Sequence, residues 1–135
     1  MGQVNEIMIR HPEICNAETR VPDMKYIMKK YNFDEIIIVN SKQFPIGIVN
    51  SKSISDEAMK NILHPFDVKA ENVMNRIAVT VSKNSSDLDG LKLMEENHLS
   101  ILPVIDNDGH CLGLVKKDDL LKEIRLYTAN DSLFK

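Results

Sequence analysis

One internal offset constrains this chain more than any motif. Slid against itself by 66 positions, the sequence aligns without a gap between residues 4–54 and 70–120. Met8 falls on Met74, Arg10 on Arg76, Asp23 on Asp89, Met28 on Met94, Gly47 on Gly113 and Val49 on Val115. The apolar pattern agrees further: Ile27 meets Leu93, Ile36 meets Leu102, Ile38 meets Val104, Ile48 meets Leu114 and Ile54 meets Leu120. Self-similarity at a fixed period means a fold built from one supersecondary unit used again. The expected copies are residues 1–65 and 66–135.

Each copy reads β-α-β-β-α. A short extended piece opens it, Glu13–Asn16 or Ala78–Ser82. A helix follows, with Thr19 and Ser85 placed as N-caps and Asp23 and Asp89 in the first turn, where the helix dipole favours acid. Met24, Ile27, Met28 and Tyr31 keep the spacing of one helical face, as do Leu88, Leu91 and Met94. Pro22 fits because the first turn loses no intrahelical donor there. Glu35–Asn40 and Ile101–Asp106 are apolar runs of strand length, returned by Ile46–Val49 and Leu112–Val115. Asp106-Asn107-Asp108-Gly109 is a strong hairpin signal; Ser41-Lys42-Gln43 is a weaker one. A second helix closes each copy, Ser53–Leu63 before Pro65 and Asp118–Tyr127. The fold class is therefore α+β, two such repeats packed about a pseudo-two-fold axis, because a half of about 60 residues buries too little core alone.

Composition excludes several functions. Seventeen basic residues against twenty acidic ones leave a net charge of −3, without the basic excess of a nucleic-acid binder. The longest apolar run, Ile36–Val39, is too short for a membrane span. Cys15 and Cys111 lie far apart and outside any C-x-x-C pair, so a disulfide framework or zinc site lacks support and a reducing, cytoplasmic setting fits. His11, His64, His98 and His110 form no metal-ligand spacing, and no nucleophile motif, P-loop or dinucleotide fingerprint occurs. The expectation is no metal, no nucleic acid, no membrane and no catalysis.

The second copy resembles a known family. Leu102-Pro103-Val104-Ile105-Asp106, then Gly109, then Leu112-Gly113-Leu114-Val115, then Asp119-Leu120 is similar to the signature of a CBS domain. Val73-Met74-Asn75-Arg76 and Ile7-Met8-Ile9-Arg10 resemble the segment that opens each CBS motif. The resemblance covers nearly the whole chain as a tandem pair, a Bateman module. It implies a regulatory module that binds adenine nucleotides, or in some members S-adenosylmethionine, in clefts between the motifs. It also implies helix-mediated homodimers and control of an enzyme, channel or transporter. Within these residues nothing is attached, so the expectation is a chain that acts on a separate partner or simply stores or reports a ligand.

That family's strand-to-helix junction supplies a hydroxyl for phosphate and, three residues on, an Asp for ribose. Here Asp119 matches the Asp, and Lys116 stands where the hydroxyl is usual; a lysine serves phosphate as a point charge. The first copy offers Asn50 and Ser53 at those places, so at most one nucleoside-like site is expected per chain. Ile77, Val79 and Pro103 would form the apolar slot for a flat base, and Arg76 would pair with phosphate. Each has a plainer reading beside it: Asp119 as a helix cap, Ile77 and Val79 as core, Arg76 (like Arg10) as a surface or inter-copy ion pair. The alternative function is a dimerisation or partner-binding module that has lost nucleotide binding.

Overall fold

The computed structural model describes residues 2–10, 15–60, 67–77 and 79–133, with 57–60 and 127–133 by backbone alone. A 3-10 turn at Val4–Glu6 leads into β1 (Ile9–Arg10) and β2 (Cys15–Asn16). Then come α1 (Val21–Tyr31), β3 (Glu35–Val39), β4 (Pro45–Asn50) and α2 (Ser51–Lys60). The second copy runs through α3 (Ala70–Val73), β5 (Asn75–Arg76), β6 (Val81–Ser82), α4 (Asp87–Glu96), β7 (Ile101–Ile105), β8 (Cys111–Lys116) and α5 (Lys117–Leu133). The fold is α+β, as expected. Of the expected elements, residues 13, 14, 61–63 and 78 lie outside the described residues.

Sequence copies and compact units do not coincide. One unit is His11–Ala78; the other joins Met1–Arg10 to Val79–Lys135. We call them the first-copy and second-copy units. The segment that opens each copy has moved to the sheet of the other. The second-copy unit has strand order β1-β8-β7-β6, and β1 pairs antiparallel with β8 through Ile9–Leu114 and Arg10–Gly113. The first-copy unit has order β2-β3-β4-β5, with Gly47 opposite Arg76 and Ile48 opposite Asn75. In each sheet one edge strand, β2 or β6, is parallel to its neighbour, the exchanged strand at the other edge is antiparallel, and a hairpin forms the centre.

The exchanged segments are anchored alike. In the second-copy unit the Val4 N–H donates to the Ser85 carbonyl (2.9 Å) and the Asp87 N–H to that of Gly2 (3.1 Å). In the first-copy unit the Ala70 N–H donates to Thr19 (2.7 Å) and the Val21 N–H to Val68 (3.0 Å). Every one of these residues has its counterpart 66 positions away. The cores follow suit. Met24, Ile36, Ile38, Val49 and Ile54 close over Val68, Ala70 and Val73. Val81, Met94, Leu102, Val104, Val115 and Leu120 close over Val4.

The helix starts correct the sequence reading by one residue. The α4 cap is Ser86, whose Oγ accepts from the Asp89 N–H (3.1 Å), not Ser85, whose carbonyl is held by Val4. The α1 cap is Arg20, which caps through no side chain; the Thr19 hydroxyl instead accepts from the Asn16 N–H (3.2 Å). In both copies the docked segment uses the backbone of the residue expected as cap, so the helix begins one position later.

Candidate functional site

At the end of β8 the chain passes directly into α5. Lys116 pairs across to Ile101, and the Lys117 N–H donates to the Ser100 carbonyl (2.8 Å), which fixes the angle of the turn. Asp118 and Asp119 fall in the first turn of α5, where the helix dipole favours them. Lys116 and Asp119 are half-buried. Pro103 is buried in β7 opposite Leu114. A proline fits there because β6 is short and meets β7 only at Val104 and Ile105, so Pro103 owes no donor on that side. Val79 is half-buried and packs against the second-copy core.

Pro103, Lys116, Asp119 and Val79 thus belong to one unit. Arg76 and Ile77 belong to the other, where Arg76 is exposed at the end of β5 and the Ile77 N–H donates to the Ile46 carbonyl (3.1 Å).

The matching junction of the first-copy unit is built differently. The Asn50 N–H donates to the Ser53 Oγ (3.0 Å), the Ser53 N–H to the Asn50 Oδ1 (2.8 Å), and the Ser53 hydroxyl to the Asn50 carbonyl (2.9 Å). Each side chain bonds the other residue's backbone and so closes the start of α2, as a capping box does.

Three further features stand among the described residues. In the first-copy unit a cavity of about 520 Å³ opens at the hairpin end of the sheet, over Cys15, Val39 and Ile46, with Asn16, Glu18 and Gln43 around it. Much of its polar lining is committed to turns: the Asn16 Oδ1 accepts from Glu18 (2.9 Å) and the Asn40 Oδ1 from Lys42 and Phe44 (2.9 and 3.0 Å). In the second-copy hairpin, ligand atoms of Asp106, Asp108 and His110 lie within 4.8 Å of one another, at an exposed turn. Burial works against the Asp106 charge, but the backbone N–H groups of His110 and Asp108, with His110 and Lys83 nearby, hold its carboxyl below the usual range. The i, i+2, i+4 spacing on a hairpin was the available signal, and the turn reading absorbed it. The third feature is Asp87, taken up below.

Neither described cysteine is in a disulfide. Burial pushes the Cys111 thiol up to about 11, so at neutral pH it is a protonated, weak nucleophile. Among the described residues no helix is long and apolar enough to cross a membrane.

The geometry is that of a repeated α+β fold, and the family profile of the CBS domain matches residues 4–60 and 70–126. The chain belongs to the CBS domain family. An uncharacterised protein of Methanopyrus kandleri is 29% identical over 106 residues, 78% of this chain and 54% of that protein. Inosine-5′-monophosphate dehydrogenase of Bifidobacterium longum is 26% identical over 117 residues, 85% of this chain but 21% of the enzyme. The chain spans about half or less of the length of such curated relatives.

Among solved structures, the CBS-pair protein CBSX2 of Arabidopsis thaliana superposes with a TM-score of 0.74 at 16% identity, covering 94% of this chain and 96% of that one. CBSX2 has also been solved with AMP. A CBS domain pair in complex with 5′-methylthioadenosine and S-adenosyl-L-methionine superposes at 0.75 with 21% identity, covering 96% and 98%. At these identities the likeness is one of fold.

Proposed function

We propose that this CBS pair is a regulatory module rather than a catalyst, and that it binds an adenine nucleotide or a related adenosyl compound at the β8–α5 junction. Asp119 would accept hydrogen bonds from the ribose hydroxyls, Lys116 would face phosphate, and Pro103 and Val79 would border the base. The observation that carries this reading is the contrast between junctions. Asn50 and Ser53 are tied to each other's backbone as a helix cap, whereas the same two places hold the charged Lys116 and Asp119. One ligand per chain follows. CBSX2 bound to AMP and the CBS pair bound to adenosyl compounds support the ligand class. Binding would favour one of two arrangements of the module, or of a homodimer, and a partner protein would read the difference.

Calorimetry with AMP and with S-adenosylmethionine tests this on the wild type, Asp119→Ala and Ser53→Ala. Asp119→Ala should weaken binding at least tenfold with the fold intact, and Ser53→Ala should leave affinity unchanged. Equal affinity of wild type and Asp119→Ala would remove the site.

The second reading, a contact module without nucleotide, draws on the exposed apolar residues Tyr26, Leu88 and Leu126 on α1, α4 and α5. A ligand at a hundred times its dissociation constant adds about 2.7 kcal/mol of stability. A melting temperature flat across a nucleotide panel would select this reading instead.

A further inference from the structure

The 66-residue offset makes the chain its own control. In the first-copy unit the docked segment places Val68 at the start of α1 beside Val21, and both join the apolar core at 8% and 7% exposure. In the second-copy unit the same backbone contact is made by Gly2 and Asp87. The turn that follows is shared as well. The Asn72 Oδ1 accepts from the Lys69 N–H (3.0 Å), and at the matching positions the Glu6 Oε1 accepts from the Gln3 N–H (3.3 Å). Backbone and hydrogen bonds repeat; the side chains do not. Val68 has become Gly2, Val21 has become Asp87 and Asn72 has become Glu6.

These three replacements turn an apolar plug into a notch with carboxylate walls. A Cβ on Gly2 would sit 3.1 Å from the Glu6 Oε2 and 3.3 Å from the Asp87 Oδ2, tighter than an ordinary contact, so both oxygens close on the one point that a side chain would occupy. Asp87 is fully buried, and neither carboxylate oxygen has a hydrogen-bond partner. Burial first, then Glu123 of α5 and Glu6, push its carboxyl above the usual carboxylate range, against the pull of the terminal ammonium. An unpaired buried carboxylate is costly and needs a proton or a counter-charge. A proton would serve one isolated acid. It gives no reason for a second carboxylate beside it, nor for the loss of a side chain at the same point.

We propose that the notch at Gly2, between Asp87 and Glu6, is a binding site for a divalent cation of the hard, oxygen-preferring class. Carboxylate and carbonyl oxygens are the donors such ions take, with water completing the shell. The ion would fasten the 3-10 turn to the start of α4 and stand in for the Val21 and Val68 contact of the other unit. The site shares no residue with the β8–α5 junction.

The test uses the full chain and three probes: Mn²⁺ for paramagnetic broadening of amide signals, Ca²⁺ and Mg²⁺ for calorimetry and melting. Substoichiometric Mn²⁺ should broaden Gly2–Glu6 and Asp87–Asp89 before any other amides. Asp87→Val, which installs the residue the first-copy unit has there, should abolish binding and leave the melting temperature insensitive to the ion. Glu6→Gln, at an exposed residue and with an amide oxygen kept for the Gln3 N–H, should weaken affinity at least tenfold. Broadening confined to Asp106–His110 would overturn the proposal. So would unchanged affinity in both variants, or a wild type that gains stability from acid but from none of the three ions.

Discussion

The β4–α2 and β8–α5 junctions stand at the same place in the two copies, yet one is tied shut and the other ends in charge. Asn50 and Ser53 bond each other three times over; Lys116 and Asp119 replace them. The docked segments differ in the same sense: Val68 and Val21 fill their contact with apolar atoms, and at Gly2 the contact is lined by the Asp87 and Glu6 carboxylates. The cores, by contrast, match position for position, Ile36 with Leu102 and Ile38 with Val104, all fully buried. Close packing holds a repeat to its pattern. Junctions and docking points carry no such demand, so the copies diverge where chemistry can be added without repacking. Both units keep the scaffold, and the second-copy unit carries the charges at these two places.

The largest way to test that equivalence lies at the paired glycines. Gly113 sits where β1 crosses β8, and a Cβ there would collide with the Ile9 carbonyl oxygen, with the Arg10 Cα at 3.1 Å. Backbone cannot step aside, so Gly113→Ala should expel β1 and cost about 3 kcal/mol or more. Gly47 meets the Met74 side chain instead, with its Cγ at 2.8 Å. Methionine is adaptable, so Gly47→Ala should cost about 1 kcal/mol. Urea denaturation midpoints decide. Equal losses would mean that the two exchanged segments are held in the same way.

Next in size is Asp87. Its folded-state carboxyl is raised above the unfolded value of 3.8, by burial, Glu123 and Glu6. Between those values the folded state binds the extra proton, so stability should rise as pH falls through the folded pKa toward 3.8 and be lowest above it. In chelator, Asp87→Val should remove this dependence and stabilise the protein at pH 7 by about 1–3 kcal/mol, the penalty of an unsatisfied buried polar group. Denaturation at pH 5 and pH 7 measures both. A destabilised Asp87→Val would show that the carboxylate is held by something the Val21 comparison lacks.

Periodicity made the order of elements readable, because the helix faces of Met24 and Met28 and the strands Ile36–Val39 and Ile101–Ile105 encode their partners locally. The exchange of β1 and β5 was not readable. A two-residue strand has no period, and whether Arg10 meets Gly113 or Gly47 is a long-range choice made by packing. Asp119 and Lys116 stood out against the family pattern. Asp87 did not, since an acid in the first turn of a helix resembles any dipole partner, and only the docked Gly2 reveals it as buried. The acid that the repeat aligns with Asp23 is the neighbour Asp89, which is exposed.

The smallest expected effect concerns the helix starts, where adjacent hydroxyls hid the correct cap. Ser86 accepts from the Asp89 N–H, so Ser86→Ala should cost about 1 kcal/mol, the usual worth of a serine cap. Ser85 uses its carbonyl rather than its side chain to hold Val4, so Ser85→Ala should change little. In the first-copy unit Arg20 occupies the cap without a side-chain bond, and Arg20→Ser should add stability by supplying the hydroxyl that α4 already has. If it does, the two helix starts differ only in that one bond. If Arg20→Ser instead destabilises, the arginine stem is packing over the docked Lys69 backbone, to which its own backbone is bridged, and the capping difference reflects a difference in how the segments dock.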